Sequence, residues 1–183
     1  MEKRILVLTG SPGVGKTTVL MKAVEALRTQ GYGVGGVISL EVRCDGRRVG
    51  FQIEDLSNGE KGWLARAESG LGPRVGRYSV DIGDLERVGV AAIRRALTNS
   101  DLIAIDEIGP MELFSEKFRE TVQKAFHSGK LVLAVVHQSV QDDLVVEAKN
   151  ESHSEVLNVT AENRNQLPIE IASKAIDFLE RYR

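Results

Sequence analysis

Short apolar runs recur along this chain, and helical patterns separate them. Lys3–Leu8, Asp101–Asp106, Leu131–Val136 and Glu155–Val159 each read as a buried strand. Lys16–Gln30 reads as a helix closed by Gly31. From about Asp84 to Leu97, residues Leu85, Val88, Ala92, Ile93 and Ala96 fall at helical spacing. Ser115–His127 repeats that pattern with Phe118, Val122, Ala125 and Phe126, and Ser115 stands where an N-cap belongs. Pro168–Tyr182 predicts a closing amphipathic helix with Ile169, Ala172, Ile176 and Leu179 inward. Gly35–Val42 and Arg47–Leu56 read as two strands joined at Cys44-Asp45-Gly46. Asp45-Gly46 is a strong hairpin signal because both central positions of a tight turn need φ > 0. The glycine-rich stretch Ser57–Gly76 predicts a looser loop.

Apolar runs that alternate with helices predict an α/β fold, with a mostly parallel sheet covered on both faces. The hairpin, over about residues 35–56, and the loop after it read as an insertion beyond the first helix. No repeat or linker divides the chain, so the expectation is one domain over residues 1–183.

The apolar runs end in residues that carry chemistry. Directly after the first strand stands Gly10-Ser11-Pro12-Gly13-Val14-Gly15-Lys16-Thr17, which meets every fixed position of G-x-x-x-x-G-K-[ST]. Strand, loop and helix in that order form the context in which this pattern cradles phosphate. The glycines let successive N–H groups converge on one anion, and the helix opening near Gly15 adds its positive end. Lys16 can reach the β- and γ-phosphates, and the Thr17 hydroxyl can ligate Mg²⁺. Thr18 either donates to the α-phosphate or bonds its own helix backbone.

The second of the buried runs, Leu102-Ile103-Ala104-Ile105, leads into Asp106-Glu107. The last residue of a buried parallel strand lies at the carboxyl edge of the sheet, where open α/β folds bind ligands. Asp106 there can hold Mg²⁺ opposite Thr17, and Glu107 can orient a water toward the γ-phosphate.

Other candidates each have two readings. His137 ends the third run and either faces the γ-phosphate or bonds a loop. Arg43, Arg47 and Arg48 flank the hairpin tip; one acts as an arginine finger, or all form a solvated edge that discourages strand pairing. Arg74 and Arg77 share that ambiguity. In Glu162-Asn163-Arg164-Asn165, Arg164 stacks on a nucleotide base and Asn163 bonds its edge, or the segment is a polar helix entrance. The lone tryptophan, Trp63, reads as an anchor for the insertion.

Composition narrows the partners. The net charge is −2, so no basic excess points to nucleic acid. The single cysteine, Cys44, excludes an internal disulfide and fits a reduced, cytoplasmic setting. The first apolar run is too short for a signal peptide, and no run approaches membrane-spanning length. A monomer is expected.

GSPGVGKTT at Gly10–Thr18, DEIGPMELF at Asp106–Phe114 and VTAENRN at Val159–Asn165 together resemble the small phosphate-loop nucleoside-triphosphatases of thermophilic prokaryotes, whose human relative is the cancer-related nucleoside-triphosphatase. EVRCDGRRVGF at Glu41–Phe51 and VGRYSVD at Val75–Asp81 extend the resemblance over nearly the whole chain. Lys61-Gly62-Trp63-Leu64 departs from it. The resemblance implies a RecA-like three-layer core and slow Mg²⁺-dependent hydrolysis of several triphosphates. It assigns Gly10–Thr17 to phosphate, Asp106 to the metal side and Glu107 to the base. No Asn-Lys-x-Asp guanine motif occurs, so ATP, GTP, CTP and UTP are all expected as substrates. A kinase on the same core and a nucleotide-dependent switch are the alternatives.

Overall fold

A computed structural model of the protein describes residues 3–67, 70–150 and 152–182. Its centre is a nine-stranded sheet in the order β5-β6-β4-β3-β2-β7-β8-β1-β9. Five strands are parallel: β1 (Ile5–Thr9), β2 (Val34–Cys44), β7 (Leu102–Ile108), β8 (Leu131–Val136) and β9 (Ser154–Asn158). Four more extend one edge antiparallel: β3 (Arg47–Asp55), β4 (Lys61–Ala67), β5 (Arg74–Val75) and β6 (Tyr78–Val80).

The sheet is therefore mixed, and the predicted insertion is larger than a hairpin. Asp45 (φ 48) and Gly46 (φ 75) make the expected turn between β2 and β3. The stretch expected to be a loop, 57–76, instead supplies β4 and β5; its residues 68 and 69 lie outside the described residues. Gly62 weakens the β4 pattern but is required there: a Cβ would meet Val88 Cγ2 at 3.0 Å and Asp84 Oδ2 at 3.1 Å.

Both faces of the parallel strands are buried, which explains why they read as unbroken apolar runs. In β1, Leu6 and Leu8 pack toward α1 (Lys16–Thr29) and α6 (Leu167–Arg181). Ile5 and Val7 face the opposite layer. That layer holds α2 (Ile82–Asp84), a π-helical turn (Leu85–Val90), α3 (Ala91–Asn99), α4 (Glu116–His127) and α5 (Asp143–Asn150). The Ser115 hydroxyl accepts from the Phe118 N–H at 3.1 Å, as an N-cap should.

In α6 one residue of the expected inward face turns outward. Ile169 is 67% exposed, while Ala172 is buried and Ile176 and Leu179 pack against the core beside Ile171, Ala175 and Phe178.

Parallel strands share one carboxyl edge, and the ends of β1, β7 and β8 place the chemistry there. β2 pairs with β7 only from Val34 to Val37, then runs on with β3. Ser39 and Glu41 thereby become part of a wall facing the phosphate loop.

Candidate functional site

Gly10–Thr17 leaves β1 and curls into the start of α1. Gly10, Gly13 and Gly15 all have positive φ, at 145°, 76° and 110°. Gly10 has a second constraint, because a Cβ would sit 2.6 Å from the Val159 carbonyl oxygen. Only glycine meets both demands. Lys16 Nζ donates to the carbonyls of Gly10 at 2.9 Å and Ser11 at 3.2 Å, which holds the ammonium over the loop.

The loop borders a cleft of about 490 Å³. Gly10, Pro12, Gly13, Gly15, Lys16 and Thr17 line one side. Asp106 and Glu107, joined by a cis peptide bond, line it with His137. The structure thus brings together the loop, the carboxylate pair and the strand-end histidine that the sequence singled out.

Ser11, Val14 and Thr18 are near but do not line the cleft. Val14 is partly buried against the core on the α1 side. Thr18 is exposed on an adjoining groove with Met21 and Lys22. Arg164 donates to the Val14 carbonyl at 3.3 Å, and its Cδ lies 3.8 Å from the Cβ position of Gly15. It covers the outer side of the loop.

Asn163 is not free to bond a base. Its Oδ1 accepts from the Thr160 N–H at 2.8 Å, and its Nδ2 donates to the Asn158 carbonyl at 2.8 Å. Both amide groups serve the loop that leads from β9 to α6.

Asp106 is 2% exposed. Burial pushes its carboxyl up to about 7; a hydrogen bond with the Thr17 hydroxyl opposes this, Glu107 adds to it, and Lys16 opposes it. Asp106 Oδ2 has no hydrogen-bond partner among the described residues. A buried carboxylate oxygen without a partner, beside a threonine hydroxyl, suits a divalent cation. Among the described residues no three His, Cys, Asp or Glu side chains form a metal cage. Mg²⁺ held by one or two protein groups and completed by phosphate oxygens and water fits such a donor set.

One acid in the cleft escaped the sequence reading. Glu112 opens the short 3₁₀ turn Glu112–Phe114 and is 6% exposed. Burial, then the charge of Glu107, pushes its carboxyl up to about 8, so it keeps its proton at neutral pH. Gly109 permits this crowding: a Cβ there would lie 2.8 Å from Glu107 Oε1 and 3.3 Å from Glu112 Oε2. Glu112 sits between Met111 and Leu113 and matches no ligand spacing, so nothing local marks it.

His137 lines the cleft and also bonds the loop that follows it. Its backbone N–H donates to the Ile108 carbonyl, and its Nδ1 accepts from the Ser139 N–H at 3.3 Å. The neutral ring therefore carries its proton on Nε2. Of the hairpin arginines, Arg48 lines the cleft, while Arg43 pairs with Glu41 and donates to the Gly46 carbonyl at 3.0 Å. Trp63 donates its backbone N–H to Asp84 Oδ2 at 2.7 Å and stacks under Arg66, anchoring β4 as expected.

The sequence model of a family described as NTPase matches residues 5–172. This chain belongs to that NTPase family. Nucleoside-triphosphatase THEP1 of Thermofilum pendens is 42% identical, aligning 99% of this chain with 100% of that protein. Nucleoside-triphosphatase THEP1 of Methanosarcina acetivorans is 45% identical over 92% of this chain and 95% of its own. The crystal structure of THEP1 from Aquifex aeolicus superposes with a TM-score of 0.82 at 33% identity, covering 92% of this chain and 96% of that one. The solution structure of a human cancer-related nucleoside triphosphatase gives 0.77 at 37% identity, over 93% and 96%. The resemblance read from the motifs is thus borne out, and with it the phosphate-loop α/β fold of the NTPase family. No helix among the described residues is long and apolar enough to cross a membrane.

Proposed function

We propose that this chain is a nucleoside-triphosphatase that hydrolyses triphosphates to diphosphate and phosphate, with Mg²⁺ and little choice of base. The observation that carries this reading is one cleft. It places Lys16 and Thr17 of the phosphate loop against Asp106 and Glu107, in a chain of the NTPase family.

The geometry supports one set of roles. The loop N–H groups and Lys16 take the phosphates, with Lys16 Nζ exchanging the Gly10 and Ser11 carbonyls for phosphate oxygens. Thr17 and Asp106 would hold Mg²⁺, which would supply positive charge to the phosphates. Glu107 orients a water and accepts its proton. His137, protonated on Nε2, donates toward the γ-phosphate. Arg164 lies against the loop and offers a flat face to whichever base follows the sugar. Stacking accepts every base because each has a π-face, and Asn163, which could have read an edge, is otherwise engaged.

The test is phosphate release from ATP, GTP, CTP and UTP, with and without Mg²⁺, in parallel with a search for any phosphorylated acceptor. Release from all four within about tenfold of one another, dependent on Mg²⁺, is expected. Transfer to an acceptor in place of phosphate release would make the chain a kinase and overturn the proposal.

A further inference from the structure

Arg48 occupies a place that simple strand alternation would not give it. Side chains alternate between the two faces of a strand, so Arg48 and Phe51, three residues apart, belong on opposite faces. Both line the cleft. The cause is a bulge: Val42 pairs with Gly50 and Arg43 with Arg48, which leaves Val49 as an extra residue on β3. Bulges re-aim side chains and recur beside active sites.

The guanidinium is then held from behind. Arg48 Nε lies 2.6 Å from Glu41 Oε2, and Cζ lies 5.4 Å from the centroid of the Phe51 ring. Arg77 donates through Nη2 to the Arg48 carbonyl, fixing the backbone. Glu41 and Phe51 line the cleft beside Arg48, and the same cleft carries Lys16, Thr17 and Glu107. A guanidinium paired with Glu41 and set against the Phe51 ring lines the cleft that carries the phosphate loop.

The geometry points to Arg48 as a catalytic arginine supplied in cis, donating from Nη1 and Nη2 to the γ-phosphoryl oxygens during transfer. This rests on reading the cleft as a triphosphate hydrolysis site. In the step, the bond between the γ-phosphorus and the bridging oxygen breaks while the water oxygen bonds to the γ-phosphorus. The water proton goes to the Glu107 carboxylate, and the bridging electron pair leaves on the diphosphate. Negative charge spreads over the phosphoryl oxygens along the way, where a fixed cation is most effective. Glu41 is the positioning residue for that cation.

The experiment compares the parent with Arg48→Ala, Arg48→Lys and Arg47→Ala. Three quantities are measured: kcat, the Kd of a non-hydrolysable triphosphate analogue, and the Kd of the diphosphate with aluminium fluoride and Mg²⁺. Arg48→Lys keeps a charge beside Glu41 and so tests the guanidinium in a folded protein. Arg48→Ala should lower kcat by about 100-fold or more, and Arg48→Lys by most of that factor. The analogue should bind within about threefold of the parent, while the aluminium fluoride complex weakens in step with kcat. Arg47→Ala, on the exposed hairpin, should stay within about twofold. Two results overturn the assignment: kcat within about threefold of the parent in both Arg48 variants, or analogue binding that falls as far as kcat. Absence of phosphate release by the parent would instead remove the hydrolytic reading on which the assignment rests.

Discussion

Glu112→Gln is expected to stabilise the protein at alkaline pH and to do little at acid pH. The side chain is 6% exposed, and its surroundings oppose ionisation. Burial is the largest cause and Glu107 adds repulsion; its own N–H and that of Gly109 pull the other way, and Asp106 repels again. The net effect lifts the carboxyl from 4.5 to about 8. At 1.36 kcal/mol per unit, ionised Glu112 costs about 5 kcal/mol of stability above pH 8. The sign follows from the order of proton loss. The unfolded chain releases this proton first, so stability is full below pH 4.5 and declines as pH rises through the folded value near 8. Glutamine keeps the shape and takes no part in the titration. Urea unfolding with a chelator present, at pH 5 and pH 9, measures the difference directly. Glu112→Gln should exceed the parent by about 1 kcal/mol at pH 5 and about 5 kcal/mol at pH 9. Equal stabilities at pH 9, or a difference that does not change with pH, would refute the reasoning.

Further perturbations separate the loop from the scaffold. Gly10→Ala meets both a φ of 145° and the Val159 carbonyl at 2.6 Å, so it should cost about 2 kcal/mol by thermal unfolding and weaken triphosphate binding in calorimetry. Asp55 is fully buried and accepts from Arg95 Nη2 at 2.6 Å and from the Ser57 N–H at 2.7 Å. Burial opposes its ionisation, but Ser57 and Arg95 outweigh it and hold the carboxyl below its ordinary value. Arg95→Met should therefore cost about 2 kcal/mol at pH 7 in urea unfolding, with the gap closing as pH falls through the depressed value.

The parallel half of the fold was legible because its strands are buried on both faces and its helices carry one apolar stripe. β8 falls on the expected residues, Leu131–Val136, and the Ser115 cap is where its chemistry placed it. The antiparallel extension was harder to read, since β4 includes Gly62, a residue demanded by contact with Val88 and Asp84 and not by strand preference. Helix α5, Asp143–Asn150, is short and follows a polar loop, so its pattern did not stand out. Within the site, residues fixed by local chain geometry were visible: the phosphate loop, and the acids at the end of β7. Glu112 was not, because burial by distant elements defines it, and the hairpin arginines stayed ambiguous because a bulge is what brings Arg48 to the cleft.

The most direct test of the central claim is Glu107→Gln, assayed for triphosphate binding by calorimetry and for phosphate release in a single turnover. The expected result is a Kd within about threefold of the parent and a hydrolysis rate lower by a factor of about 100 to 10,000, the range for a lost general base. Release at the parental rate would contradict it, and with it the assignment of Glu107 as the group that takes the proton from water.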